Sequence, residues 1–303
     1  MTTPLVLALP GNDHLAADVS RHLGAELGQA AVRRFPDGES YVRIHSKVSG
    51  RDVILAATLH RPDSQFLPLV FLAETARELG ARRVLLVAPY LAYMRQDRRF
   101  HPGEGVSSRY FARLVSQSVD GLVTVDPHLH RYPTLDAIYG IPSRIVAAAP
   151  LVAAWIRKRI DQPLIVGPDS ESEQWVSVVG GLAEAPWIVL DKVRRGDRDV
   201  VVSVPEVERW SGCTPVLVDD IISTGRTMIE TVAHLRRAGM KSPVCVGVHG
   251  VFSDSAVAEL LDAGADRVVT SSTIPRETSV IDLCEAIAGQ CRDLLADLSK
   301  GGE

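Results

Sequence analysis

Short, unbroken apolar runs rich in β-branched residues recur along the whole chain, separated by stretches of helical periodicity. This alternation restricts the fold more than any other feature. Leu5–Leu9, Val53–Ala57, Val84–Ala88 and Leu122–Val125 read as strands, and a second series follows at Leu164–Val166, Ile188–Leu190, Val216–Val218, Val244–Val248 and Arg267–Thr270. Their apolar residues run continuously instead of alternating, as a strand covered on both faces requires. Between them, Leu67, Val70, Phe71 and Leu79 fall near helical spacing, which predicts a helix over Ser64–Leu79, capped by Ser64 and stopped by Gly80. Thr227–Ala238 and Asp282–Leu298 read as helices too. Strand–helix–strand alternation means βαβ units and parallel sheets. With 303 residues there is chain enough for two such sheets. The join is expected near Gly140–Pro150, giving domains 1–145 and 146–303. Self-similarity between the halves is too weak to show a duplication.

Composition excludes several classes. At 46% hydrophobic and 23% charged residues, the chain is neither disordered, collagen-like nor a coiled coil. The net charge of −4 gives no basic excess for nucleic acid, although a local basic patch could hold phosphate. Cys213, Cys245, Cys284 and Cys291 lie far apart with no CxxC, which argues against a zinc site or disulfide framework and for buried, reduced thiols. The Leu5–Leu9 run has no basic residues before it and is too short for a signal peptide or a membrane span. A cytoplasmic chain with no membrane partner is expected.

Common phosphate and hydrolase signatures are absent: no GxxxxGK[ST], no strand-linked GxGxxG, no GxSxG and no HExxH. The most informative segment is Val216-Leu217-Val218-Asp219-Asp220-Ile221-Ile222-Ser223-Thr224-Gly225-Arg226-Thr227. A buried strand runs into two adjacent carboxylates, then a small hydroxyl- and glycine-rich turn, then a helix. Backbone amides of such a turn at a helix start form an anion nest, and Ser223, Thr224 and Thr227 add hydroxyl donors. The carboxylates then suit sugar hydroxyls or divalent cations. A capped strand–helix turn is the competing reading.

This segment resembles the phosphoribosyl-pyrophosphate (PRPP) fingerprint shared by type I phosphoribosyltransferases, which consume PRPP, and ribose-phosphate pyrophosphokinases (PRPP synthetases), which make it. Five other segments resemble the synthetase family in order along nearly the whole chain. Phe35-Pro36-Asp37-Gly38-Glu39, by itself a turn with Asp-Gly at the bend, is similar to the family's adenine-contacting Phe-x-Asp-Gly-Glu. Pro89-Tyr90-Leu91-Ala92-Tyr93-Met94-Arg95-Gln96-Asp97, otherwise a solvated basic loop, resembles a segment whose Arg and Gln bind ATP. Asp126-Pro127-His128 is similar to an Asp-x-His beside Mg²⁺; the HxH pair of His128 and His130 alone is a weak metal signal. Pro168-Asp169 resembles a strand-end Pro-Asp tied to Mg²⁺, and Lys192-Val193-Arg194, by charge a solvated hairpin, resembles the family's catalytic flap. The stretch 102–110 looks like the shorter archaeal-type branch.

The resemblance implies two phosphoribosyltransferase-like α/β domains, each a mainly parallel sheet flanked by helices, with ATP on the first and ribose 5-phosphate and the flap on the second. It implies transfer of the pyrophosphoryl group of ATP to O1 of ribose 5-phosphate, giving PRPP and AMP. Lys192 and Arg194 would be catalytic. Phe35, Asp37, Glu39, Arg95 and Gln96 would bind ATP, and Asp219, Asp220, Ser223, Thr224, Gly225 and Thr227 ribose 5-phosphate. His128 and Asp169 would lie at Mg²⁺, and the chain would form a homo-oligomer. It departs from the family at 170–175 and at Arg226, where the family has a small residue. A PRPP-using transferase, a non-catalytic regulatory relative and a related pentose phosphate as substrate are the alternatives.

Overall fold

A computed structural model of the chain describes residues 2–168, 172–194, 200–203 and 207–300, with the backbone alone for 191–194, 200–203, 207 and 208. Asp169 therefore lies outside the described residues. The chain divides into two units, residues 1–146 with 284–303, and residues 147–283.

The first unit runs β1 (Leu5–Ala8), α1 (Asp13–Leu23), β2 (Glu26–Leu27), β3 (Ala30–Arg34), β4 (Ser40–Ile44), β5 (Asp52–Ala56), α2 (Pro62–Glu78), β6 (Arg83–Ala88), α3 (Ser107–Ser118), β7 (Gly121–Val125) and β8 (Ser143–Val146). Its sheet is parallel throughout, in the order β2-β1-β5-β6-β7-β8. β5 and β7 are buried at every residue, as their continuous apolar runs require. β3 and β4 form a separate antiparallel hairpin. Helix α2 opens at Pro62, not at Ser64. Proline fits the first helical position because its fixed φ suits the helix and its missing N–H would be unsatisfied there anyway. Ser64 lies inside the first turn and its hydroxyl donates to Arg61 O at 3.0 Å.

The second unit contains α4 (Ala149–Arg159), β9 (Pro163–Gly167), α5 (Glu173–Ala183), β10 (Trp187–Val189), the hairpin strands β11 (Asp191–Arg194) and β12 (Val200–Ser203), β13 (Thr214–Ile222), α6 (Arg226–Arg237), β14 (Val244–Gly250), α7 (Ala256–Asp262), β15 (Arg267–Ser271) and β16 (Ser279–Ile281). Its sheet is parallel in the order β10-β9-β13-β14-β15-β16. Element for element, this repeats the first unit. Strand, helix and edge strand are followed by an antiparallel hairpin and then by four parallel strands. The duplication that the residues conceal is plain in the topology.

The last helix of each half is exchanged. α4 follows β8 but packs on α5 of the second unit, and α8 (Cys284–Lys300) follows β16 but packs on α1, β7 and β8 of the first. The sequence reading kept residues 284–303 with the second half. The contacts return them to the first, because the buried face Ile287, Ala288, Cys291 and Leu294 completes that core. Arg144 pairs with Asp297, and the Arg292 guanidinium donates to His22 O at 3.0 Å. Gly121 marks a close approach, since a Cβ there would stand 3.1 Å from Leu294 Cδ2 and 2.9 Å from Leu85 Cδ2. Burial pushes the Cys245 and Cys291 thiols up to about 12, which keeps both protonated and inert. No helix among the described residues is long and apolar enough to cross a membrane.

If α8 is an integral part of the first core, Leu294→Ala should cost about 2–5 kcal/mol. Urea unfolding followed by the fluorescence of a tryptophan introduced on α1 should report this loss at a lower midpoint, and an unchanged midpoint would contradict the packing.

Candidate active site

Unequal ladders mark the switch point of the second unit. β13 pairs with β9 only as far as Leu217 opposite Val166, but follows β14 to Ile222 opposite Gly250. Beyond Leu217 it pairs, among the described residues, with β14 alone, and Asp219 and Asp220 stand there half-buried. The chain leaves β9 and β13 in opposite directions across the sheet, toward β10 and toward β14. Such a switch point is where open parallel sheets place ligands.

The turn after β13 is set by Gly225, whose φ of +68° lies in the left-handed region that favours glycine. Gly225 O accepts the amide of Ile229 at 2.7 Å and so starts α6. No side chain caps α6 among the described residues. The amides of Arg226, Thr227 and Met228 at its positive end are therefore free for an external acceptor. Ser223 O accepts Ser253 N at 3.2 Å, which ties the turn to the chain after β14. Asp219 Oδ1 accepts Asp220 N at 2.9 Å and orients the first carboxylate. Ser223, Thr224, Gly225 and Thr227 thus share one turn with two acids at its entrance. Lys192 and Arg194 lie on β11, opposite Val202 and Val200 of β12.

A buried support for this edge was not legible as a motif. His249, 2% exposed on β14 and opposite Ile221, has Nδ1 3.0 Å from Thr273 Oγ1. Thr273 gives its one hydroxyl proton to Val248 O at 3.0 Å, so Nδ1–H is the donor to it. A lone histidine in an apolar run gives no sequence signal for this.

In the first unit the expected ATP residues fall in two places. Phe35, Asp37 and Glu39 form the tip of the β3–β4 hairpin, closed by Phe35 N to Glu39 O at 2.8 Å and Glu39 N to Asp37 Oδ1 at 3.1 Å. Phe35 remains 40% exposed, edge-on to Tyr41, with the Arg33 guanidinium over both rings. Arg95 and Gln96 lie on the β6–α3 connection, and His128 on the β7–β8 connection. These two are joined: Tyr132 O–H donates to Asp97 O at 3.1 Å, and Arg131 Nε lies 3.4 Å from buried Asp97 Oδ1. Among the described contacts none joins the hairpin tip to either connection. Arg95 is exposed, with no side-chain partner among the described residues. The half-buried His128 ring stacks on His130 with centroids 4.0 Å apart.

The β6–α3 connection is folded around Glu104. Its carboxylate accepts Phe100 N at 2.7 Å, His101 N at 3.0 Å and Gln96 Nε2 at 3.3 Å, and lies 2.7 Å from His101 Nδ1. The His101 side chain first, then these amides, hold the Glu104 carboxyl below its ordinary value. Tyr93, at φ +62°, enters the loop and donates to Asp63, which raises its phenol pKa and keeps it protonated.

Residues 5–118 match the N-terminal domain of ribose phosphate pyrophosphokinase, and residues 135–284 the phosphoribosyl transferase domain. A ribose-phosphate pyrophosphokinase of the archaeon Methanopyrus kandleri is 32% identical over 292 residues, 96% of this chain and 99% of its own. This chain belongs to the ribose-phosphate pyrophosphokinase family. A second relative of that name, from Methanobrevibacter smithii, is 30% identical over 95% of this chain and 100% of its own. The crystal structure of phosphoribosylpyrophosphate synthetase from Mycobacterium smegmatis shares the fold, with a TM-score of 0.84 over 98% of this chain and 100% of that one at 24% identity. The two parallel-sheet domains expected of this pyrophosphokinase family are the ones observed.

The Glu104 ties predict an acid transition in this loop. With a folded pKa below the unfolded one, their contribution is complete above the unfolded value. It is lost as pH falls through the folded value, beneath the ordinary 4.5. The amide resonances of Phe100 and His101 should shift together at that lower pH, and Glu104→Gln should abolish the step. A midpoint at or above the ordinary value would refute it.

Proposed function

We propose that the chain is a ribose-phosphate diphosphokinase, in which O1 of ribose 5-phosphate attacks the β-phosphorus of ATP, forming PRPP and releasing AMP. One observation carries the reading. At a sheet's switch point two half-buried carboxylates precede a hydroxyl-rich turn with no side-chain cap among the described residues, in a chain of this family over nearly its whole length.

In this reading the amides and hydroxyls of Ser223–Thr227 hold the 5-phosphate, and Asp219 and Asp220 accept from the ribose hydroxyls. Phe35 stacks on adenine, with Asp37 and Glu39 beside it, and Arg95 and Gln96 meet the triphosphate. Lys192 and Arg194 meet the charge that grows as the β-phosphoryl group moves; positioning and electrostatics dominate such transfers. The donors fit a divalent cation, Mg²⁺ in this proposal: carboxylate oxygens supply hard ligands, and the half-buried His128 supplies a nitrogen. His128 and Asp169 would hold it, and when bound it neutralises the triphosphate. Substrates of this kind belong to the cytoplasm, and the exposed adenine-stacking Phe35 suits a homo-oligomer in which a hairpin tip serves a neighbouring copy.

The decisive assay supplies ATP, ribose 5-phosphate and Mg²⁺ to the purified chain and measures AMP and PRPP. Equal production of both is expected; AMP without PRPP, or neither, refutes the proposal. Thr227→Ala and Asp220→Ala should each raise the KM for ribose 5-phosphate about 10- to 100-fold and that for ATP much less. Lys192→Ala should lower kcat on the order of 10²–10³-fold with little change in KM. Retention of half the kcat would return this strand to a solvated hairpin.

A further inference from the structure

The repeated topology gives the first unit its own switch point, between β1 and β5, where the chain leaves toward β2 and toward β6. It corresponds to the point between β9 and β13 that holds Asp219–Thr227. A cavity of about 420 Å³ opens there. It is lined by Arg33, Arg34 and Ser40 of the hairpin and by His60, Arg61 and Ser64 at the start of α2. No carboxylate lines it. The Arg33 guanidinium lies over the rings of Phe35 and Tyr41. The Arg34 guanidinium donates to two carbonyls, Gly38 O and Ser64 O, each at 3.1 Å. The Arg61 guanidinium is exposed, with no partner among the described residues. Asn12, 2% exposed, fixes the rim: its carboxamide oxygen accepts Thr58 N at 2.8 Å, and its NH₂ donates to Leu9 O and Pro10 O.

We propose that this cavity is a second anion site, taking inorganic phosphate or a phosphate monoester and separate from the 223–227 turn. Three like-charged arginines line it with no acid among the lining residues, in a chain whose net charge is −4. A dianion relieves that repulsion, and the planar Arg fork matches phosphate oxygens. Ser40 adds a hydroxyl donor, and the volume falls in the range of small-ligand sites. The comparison between the units rests on the reading of 223–227 as a phosphate turn; the charges in the cavity do not.

Hydrogen exchange on the full chain with added inorganic phosphate tests this. Protection is expected in residues 30–44 and 57–68, with Arg61→Gln weakening the apparent affinity there about 10-fold or more. Arg61 is exposed and has no side-chain hydrogen bond or ion pair among the described residues to lose, so its variant is expected to fold. Thr227→Ala should leave this protection in place and remove protection at 222–231. Protection confined to 222–231, or identical in Arg61→Gln, overturns the second site and leaves the proposed reaction standing. Protection confined to the first unit supports the second site and removes the assigned phosphate turn. Ribose 5-phosphate as a second probe identifies the source: a monoester ligand protects 57–68 at lower concentration than inorganic phosphate does.

Discussion

Parallel hydrogen bonding is the constraint on which this structure depends. It sends every strand of a sheet off the same edge, so the chain must return through a helix before the next strand starts. The turns that follow the parallel strands therefore gather along one edge of each sheet. In the second unit β13 outruns β9 among the described residues, and two carboxylates stand on the longer strand. The turn after β13 needs little more: a glycine at positive φ, a helix with no capping side chain among the described residues and a carbonyl tied to Ser253.

The sequence was legible where a single segment carried the information. The central strands are buried on both faces, and their apolar runs announced them. Residues 216–227 are contiguous, so strand, acids, turn and helix could be read together. β3 and β4 were legible only at their Asp37-Gly38 bend, because both strands are half-exposed and carry arginines. The cavity arginines come from separate places, 33–34 and 61, and no local pattern joins them. Asn12 and His249 act through single buried contacts, which leave no periodicity. The amphipathic face of α8 showed that it must pack, but not on which half.

The two units share one order of elements and differ in what stands at equivalent positions. At the switch point, the second has acids before hydroxyls and the first has arginines, a histidine and serines. One topology thus presents two surfaces of different charge, through substitutions at strand ends that leave the cores untouched. Function here is written on the connections, which tolerate such change because little packs against them.

The exchanged helices also bear on how the chain is made. α1 leaves the ribosome ahead of the later strands of both sheets, while α8, which packs on it, emerges only after β16. Residues 1–146 therefore wait through the synthesis of the whole second unit with an apolar surface uncovered. Their contacts with α8 span nearly the full length of the chain, and closing so long a loop is slow compared with forming local structure. The second unit receives α4 before its own strands and has every piece in hand as soon as β16 emerges. Vectorial synthesis thus favours completion of the second unit first, and the half made earliest is the one finished last.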